Sequence, residues 1–275
     1  MDQGQAIAQA FVAARRAARG LSEYPGPIPA TLDQAYAIQD RAIALAGDAV
    51  AGWKVGRINP PLDAELGSNR LAGPIFADQV TAADGGPMPV FAEGFAAAEA
   101  EFLLRIGAAP DPAKLSYSHD EALALIDAVH VGLEIASSPF PGINDLGPLV
   151  TISDFGNNHG LVVGAEVPGW RDLGFVDWPV RLLIDGEEAG AANAATMLDG
   201  PVGAAAFLFG CLAARGIALR PGQWISSGAV TGVHPVRVGQ AVTALFDDGM
   251  TVSCTIDAAT PEEDVSEVND ERKSG

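Results

Sequence analysis

The stretch Ala98-Glu99-Ala100-Glu101-Phe102-Leu103-Leu104 sets the tightest condition on how this chain can fold. As a strand over 98–106 it sends Glu99 and Glu101 to one face and Ala100, Phe102 and Leu104 to the other. The apolar face has to be buried. Two carboxylates on the opposite face of such a strand either meet solvent or need a positive charge to neutralise them. A hard divalent cation does this, because Mg²⁺ or Mn²⁺ takes oxygen ligands in six positions. A third acid, Glu134, stands alone in Val131-Gly132-Leu133-Glu134-Ile135-Ala136, a second apolar run. Its plain alternative is a solvated strand face.

Charge narrows the partners. With 16 basic against 35 acidic side chains the net charge is -19, which repels nucleic acid and anionic membrane at long range. It repels an anionic substrate as well, so an acid could be bound only where a cation or a cluster of donors reverses the local field. Hydrophobic residues at 48% and 275 residues in all are enough for a substantial buried core. Cys211 and Cys254 sit in apolar runs and read as buried free thiols. No basic leader precedes an apolar stretch and no run approaches membrane-spanning length, so cytoplasm is the expected compartment.

Periodicity predicts an α+β protein. An amphipathic helix covers about 5–18, and a second starts at Thr31, where Gln34 supplies a capping pattern. Beyond Gly47, short strands dominate: Trp53 to Val55 between glycines, then 74–76, 98–106, 130–135, 161–163, 180–184, 224–225, 242–246 and 252–256. Helices are expected from Ser118 to about Val129 and from about Pro201 to Ala214. The closely spaced turns after Leu219 read as a β-rich barrel or sandwich. The expected division is a mainly helical region over 1–72 ending in the lysine strand, a β-rich catalytic domain over 73–260, and a disordered acidic tail over 261–275.

No GxGxxG, Walker A, HExxH or GxSxG sequence is present, and four histidines are too few and scattered for a histidine-built metal centre. His159 follows two asparagines and reads as a loop or capping residue more readily than as a base. Lys54, inside Trp53-Lys54-Val55-Gly56, is an ammonium in a short apolar strand. It is either an edge-strand salt bridge or an amine tuned for proton transfer.

These residues carry a resemblance. The sequence is similar to the 2-oxopent-4-enoate hydratase and 2-oxo-acid decarboxylase branch of the fumarylacetoacetate hydrolase superfamily. The family's YKxG matches Trp53-Lys54-Val55-Gly56, and the Asp of its GxLxxD stretch falls on Asp78. Its ExE pair matches Glu99 and Glu101, and the Glu of its ExxDSR stretch matches Glu134. Its (A/S)DN region corresponds to Ser153-Asp154-Phe155, and its TGSxT motif to Ser227 through Thr231. The match runs from about residue 31 to 257. It departs at Ser137, Ser138 and Pro139, where the acid and arginine of ExxDSR are missing, at Ala229 and at Phe155.

The resemblance implies a fumarylacetoacetate hydrolase-like fold, with a small helical N-terminal part on a β-rich C-terminal domain, and a homo-oligomer. It implies Mg²⁺ or Mn²⁺ on Glu99, Glu101 and Glu134, with Lys54 and Asp78 as an oppositely charged pair that moves protons. Asp154, Asn158 and Thr231 are the expected contacts to a small 2-oxo or 2-hydroxy acid. The expected reaction is hydration of a 2-hydroxy-2,4-dienoate to a 4-hydroxy-2-oxo acid. Decarboxylation of a 2-oxo-3-enedioate, hydrolysis of a β-diketone carbon–carbon bond, and an inactive binding homologue are the alternatives.

Overall fold

The structure, a computed structural model, describes residues 2–82, 86–247 and 249–262. The acidic tail therefore lies outside it beyond Glu262, whose backbone N–H donates to the Arg16 carbonyl at 2.8 Å.

Helix α1 (Gln3–Arg16) is opened by the Asp2 side chain, which accepts from the Gly4 N–H. Helix α2 (Leu32–Ala46) is capped by Thr31 and ends at Gly47, whose φ of 76° is the left-handed stop that glycine allows. Strand β1 (Val50–Arg57) follows, then α3 (Leu62–Leu66), β2 (Arg70–Phe76), β3 (Val80–Ala82), β4 (Pro87–Val90) and β5 (Phe95–Ile106). Next come α4 (His119–Leu123), β6 (Ile126–Ser138), α5 (Pro148–Ser153), β7 (Asn158–Glu166), β8 (Val180–Ile184) and β9 (Glu187–Ala192). Helix α6 (Gly200–Ala214) precedes β10 (Trp224–Ser226), β11 (His234–Pro235), β12 (Ala241–Phe246) and β13 (Met250–Ala258).

Two mixed sheets organise these strands. One runs β2-β1-β10-β5-β6-β7-β3 with β11 added against β5, and the other runs β4-β13-β12-β8-β9. The main core lies between them. Phe102 of β5 meets Phe246 of β12 at 5.3 Å and Phe175 at 4.7 Å between ring centroids. The alternation in β5 is as the sequence predicts. Ala98, Ala100, Phe102, Leu104 and Ile106 all enter that core, while Leu103 packs on the other side with Ile75 and Leu161.

Three expectations need correction. The helix expected over 118–129 stops at Leu123, and β6 begins at Ile126. The capping box of Ser118 and Glu121 does form, but Ile126 and Val129 find buried partners by pairing with Ile106 and Leu104 of β5. Tertiary pairing overrides local propensity there. The boundary at 72/73 cuts through β2, which pairs with β1 along its length. The first two helices are also not a separate unit. Ile7, Phe11 and Ile38 share one cluster with Phe76, Phe140, Val150 and Phe155.

Candidate active site

The centre of the site is set by strand register. In the β5–β6 ladder Glu99 stands directly opposite Glu134, and Glu101 lies two residues further on the same face. One carboxylate oxygen from each of the three comes within 4.8 Å of the others. All three side chains are buried, at 5%, 0% and 0% exposure. On the other flank of β5, strand β10 brings Ser226, whose hydroxyl bonds Glu101 Oε2 and lies 3.0 Å from Glu134 Oε2. The Gly228 N–H donates to Glu101 Oε2 at 3.1 Å. Glu101 Oε1 is buried with no hydrogen-bond partner among the described residues.

Lys54 arrives from the next strand. The β1–β10 register pairs it with Ser226, and its ammonium donates to Glu134 Oε1 at 3.0 Å and to Asn157 Oδ1 at 3.1 Å. Asn158 Nδ2 donates to the same Glu134 oxygen at 3.0 Å. The turn carrying these asparagines is strained, with Phe155, Gly156 and Asn157 all left-handed at φ 56°, 64° and 59°. It presses on β2 at Gly73, where an added Cβ would stand 2.1 Å from the Phe155 carbonyl oxygen. Close packing of that turn is what carries Asn157 to Lys54.

Burial opposes charge on each of these groups, and their mutual fields decide the outcome. Burial raises Glu99 to about 7, with Lys54 pulling it down and Glu134 pushing it up. Burial, then the fields of Glu134 and Glu99, hold Glu101 well above the carboxylate range despite its bond from Ser226. Burial works against the Lys54 ammonium, yet Glu134, Glu99 and Glu101 together outweigh it and raise its pKa. Lys54 is therefore a firm cation in a site that is short of positive charge.

The three glutamates, Lys54 and Asn158 thus come together around one point. Thr231 lies beside the cavity that opens over Glu99, its hydroxyl 3.2 Å from His234 Nε2.

Asp78 and Asp154 are not brought there. Lys54 pairs with Gly73 in the β1–β2 ladder, so Asp78 is five residues beyond it along the chain, past the end of β2. At about 3.3 Å per strand residue, β2 alone carries the chain about 10 Å away from Lys54 before Asp78 is reached. Asp78 is exposed beside a second cavity and is raised by burial and by Asp48. Asp154 is fully buried against Arg15 of α1, whose Nε lies 2.6 Å from Asp154 Oδ1. Arg15 also donates to the Asn158 and Ser137 carbonyl oxygens. A guanidinium from α1 thus reaches the segment that departs from the family's ExxDSR.

His159 sits 3.2 Å from Arg15 and 4.4 Å from the Phe91 ring, and burial followed by Arg15 depresses it to about 3. It is a neutral ring outside the glutamate cavity. Asn157 and Ser226 were not singled out by the sequence, since a lone polar residue in a loop or short strand carries no signal until the pairing is known.

The cavity has a volume of about 790 Å³, and its lining includes the buried Lys54, Glu99, Thr151, Asn157 and Ser227. No family model matches the chain. It is 28% identical over 225 residues to the 2-keto-4-pentenoate hydratase of Burkholderia vietnamiensis (strain G4 / LMG 22486), covering 80% of this chain and 84% of that enzyme. It is 24% identical over 256 residues to the 2-hydroxyhexa-2,4-dienoate hydratase of Comamonas testosteroni, covering 91% and 95%. Among solved structures, 4-oxalocrotonate decarboxylase from Pseudomonas putida G7, complexed with magnesium and adipate, matches with a TM-score of 0.77 at 21% identity, over 93% of this chain and 97% of that one. Fumarylpyruvate hydrolase from Pseudomonas aeruginosa in complex with Mn²⁺ and pyruvate gives 0.53 at 19%, over 75% and 89%. With the lysine and three glutamates in place, the chain is similar in sequence to these two hydratases and similar in fold to the decarboxylase and the hydrolase.

Proposed function

We propose that this protein is a metal-dependent hydro-lyase that adds water to a 2-hydroxy-2,4-dienoate and yields a 4-hydroxy-2-oxo acid. One observation carries the reading: three buried carboxylates within 4.8 Å of one another, served by a single ammonium. Three carboxylates, one lysine and one divalent ion come to zero net charge, and the orphaned Glu101 Oε1 is an oxygen ligand in wait. Glu99, Glu101 and Glu134 would hold Mg²⁺ or Mn²⁺, hard ions suited to an all-carboxylate set. The bound ion supplies Lewis acidity toward the C2 oxygen of the substrate and lowers the pKa of water.

The chain's own groups do the rest. Ser226 and Asn158 hold Glu134 and Glu101 in place, so the ligands keep their geometry through turnover. Lys54, once the glutamates' charge is engaged, loses part of the field that raises it and becomes able to give and retake a proton. It acts on the dienol, protonating the distal carbon as the C2 hydroxyl becomes a ketone, which leaves C4 electrophilic toward water. Thr231 and Asn157 offer hydrogen bonds to the substrate carboxylate. Asp78 and Asp154 have no part in this reading. Assembly as a homo-oligomer remains part of the proposal.

The test is incubation with 2-hydroxypenta-2,4-dienoate and with an oxalocrotonate-type acid in Mg²⁺ or Mn²⁺, following dienol absorbance and CO₂ release. Metal-dependent loss of the dienol without CO₂ supports hydration. Release of CO₂ from the diacid, with the pentadienoate untouched, sinks it in favour of decarboxylation.

A further inference from the structure

The cavity over Glu99 has two unlike ends. Its buried polar lining is Lys54, Glu99, Asn157 and Ser227, while the exposed part of its lining, the outer end, includes Leu62, Leu198 and Val233. Leu62, Leu198 and Val233 are exposed at 38%, 42% and 49%, among only seven large apolar side chains so exposed in the described residues. They come from three separate segments: the start of α3, the turn before α6, and the loop after β10. Single exposed apolar residues are ordinary, but three gathered round one mouth mark a binding surface.

Two arginines line the same outer end and could suggest an acidic ligand instead. Arg57 and Arg70 face each other across the β1–β2 ladder. Arg70 is buried and its guanidinium is taken by Asp199, which also approaches His119. Arg57 is exposed at the rim, where a charge in water adds little to affinity. The buried guanidinium already has its carboxylate, which leaves the apolar ring as the distinguishing chemistry of this end.

We infer that the substrate carries a hydrocarbon substituent at the end away from its carboxylate, and that Leu62, Leu198 and Val233 receive it. The inference rests on the hydratase reading for the head group and adds the chemistry of the tail. A cavity of about 790 Å³ is of a size that holds drug-sized ligands, so a five-carbon acid would leave most of it to water. An alkyl chain running outward from C4 lies along the apolar wall and displaces that water.

The experiment is calorimetric binding of saturated 2-oxo acids to the full chain with saturating Mn²⁺. The probes are 2-oxobutanoate, 2-oxopentanoate, 2-oxohexanoate and 2-oxooctanoate, with 2-oxoadipate as the diacid of matched length. Affinity should rise about three- to fourfold per added methylene, the heat-capacity change should grow more negative with length, and 2-oxoadipate should bind more weakly than 2-oxohexanoate. Leu198→Ser combined with Val233→Ser should flatten the series, leave 2-oxobutanoate unchanged, and leave the subunit count by light scattering unchanged. A flat series in the unaltered protein overturns the inference. So does tighter binding of 2-oxoadipate that is lost in Arg57→Gln, which gives the outer end to a second acid. A changed subunit count in the double variant assigns the ring to contact between copies. Failure of 2-oxobutanoate to bind is a different result, because it has almost no tail: it strikes the head-group reading, and the inference falls with it.

Discussion

Replacing Glu99 with glutamine should make the metal-free protein more stable, and increasingly so as pH rises. Glu99 is almost fully buried, and its folded pKa stands at about 7 against an ordinary value of 4.5. Between those values the folded state holds a proton that the unfolded chain has lost, so stability falls as pH rises from 4.5 through 7. At about 1.4 kcal/mol per pH unit of difference, the penalty is under about 1 kcal/mol at pH 5 and about 3 kcal/mol at pH 8. His159 acts in the opposite sense: its folded pKa of about 3 lies below its ordinary 6.5, so it favours the folded state as pH rises to 6.5. The quantity to follow is therefore the difference between variant and parent, in which His159 cancels. Urea unfolding in EDTA should give a Glu99→Gln advantage that grows by about 2.5 kcal/mol from pH 5 to pH 8. Mn²⁺ at a hundredfold excess over its dissociation constant should return about 2.7 kcal/mol to the parent at pH 8, and much less to the variant. An advantage that does not change with pH would refute the picture of an ionisable Glu99 starved of counter-charge.

Glu101→Gln should abolish metal-dependent dienol turnover while circular dichroism stays that of the parent; full activity would remove Glu101 from the ligand set. Ser226→Ala takes away the hydroxyl shared by Glu101 and Glu134 and should weaken Mn²⁺ binding about 10- to 100-fold by calorimetry, with a smaller change in protein stability. Asp154→Asn leaves the Arg15 guanidinium without its buried carboxylate and should cost about 3 kcal/mol of unfolding free energy at unchanged kcat. A fall in kcat at unchanged stability would restore Asp154 to a role at the substrate.

The face proposed to bind metal was legible because its signal is chemical misfit. Glu99 and Glu101 in β5 and Glu134 in β6 are acids where only apolar residues belong, and Lys54 is the matching misfit in β1. What the sequence could not supply was distance between elements. Asp78 and Asp154 carry the residue types that the resemblance asks for, yet strand pairing takes Asp78 along β2 away from Lys54, and Arg15, distant in the chain, claims Asp154. Asn157 and Ser226 became visible only through register and a left-handed turn. The helix expected to Val129 failed for the same reason. Its apolar residues fit either period, and β5 was the partner that decided.

The opposed placement of Glu99 and Glu134 in the middle of a long ladder has a consequence for how this protein can change. Glu99 and Glu134 pair with each other mid-strand, and Glu134 is paired with Leu161 of β7 on its other side. Leu62, Leu198 and Val233 belong to a short helix and two connecting segments outside that ladder. On the proposed reading, exchanging or lengthening those segments alters which molecules are admitted while the geometry of the three carboxylates stays put. That reading makes selectivity and chemistry separately adjustable in this molecule.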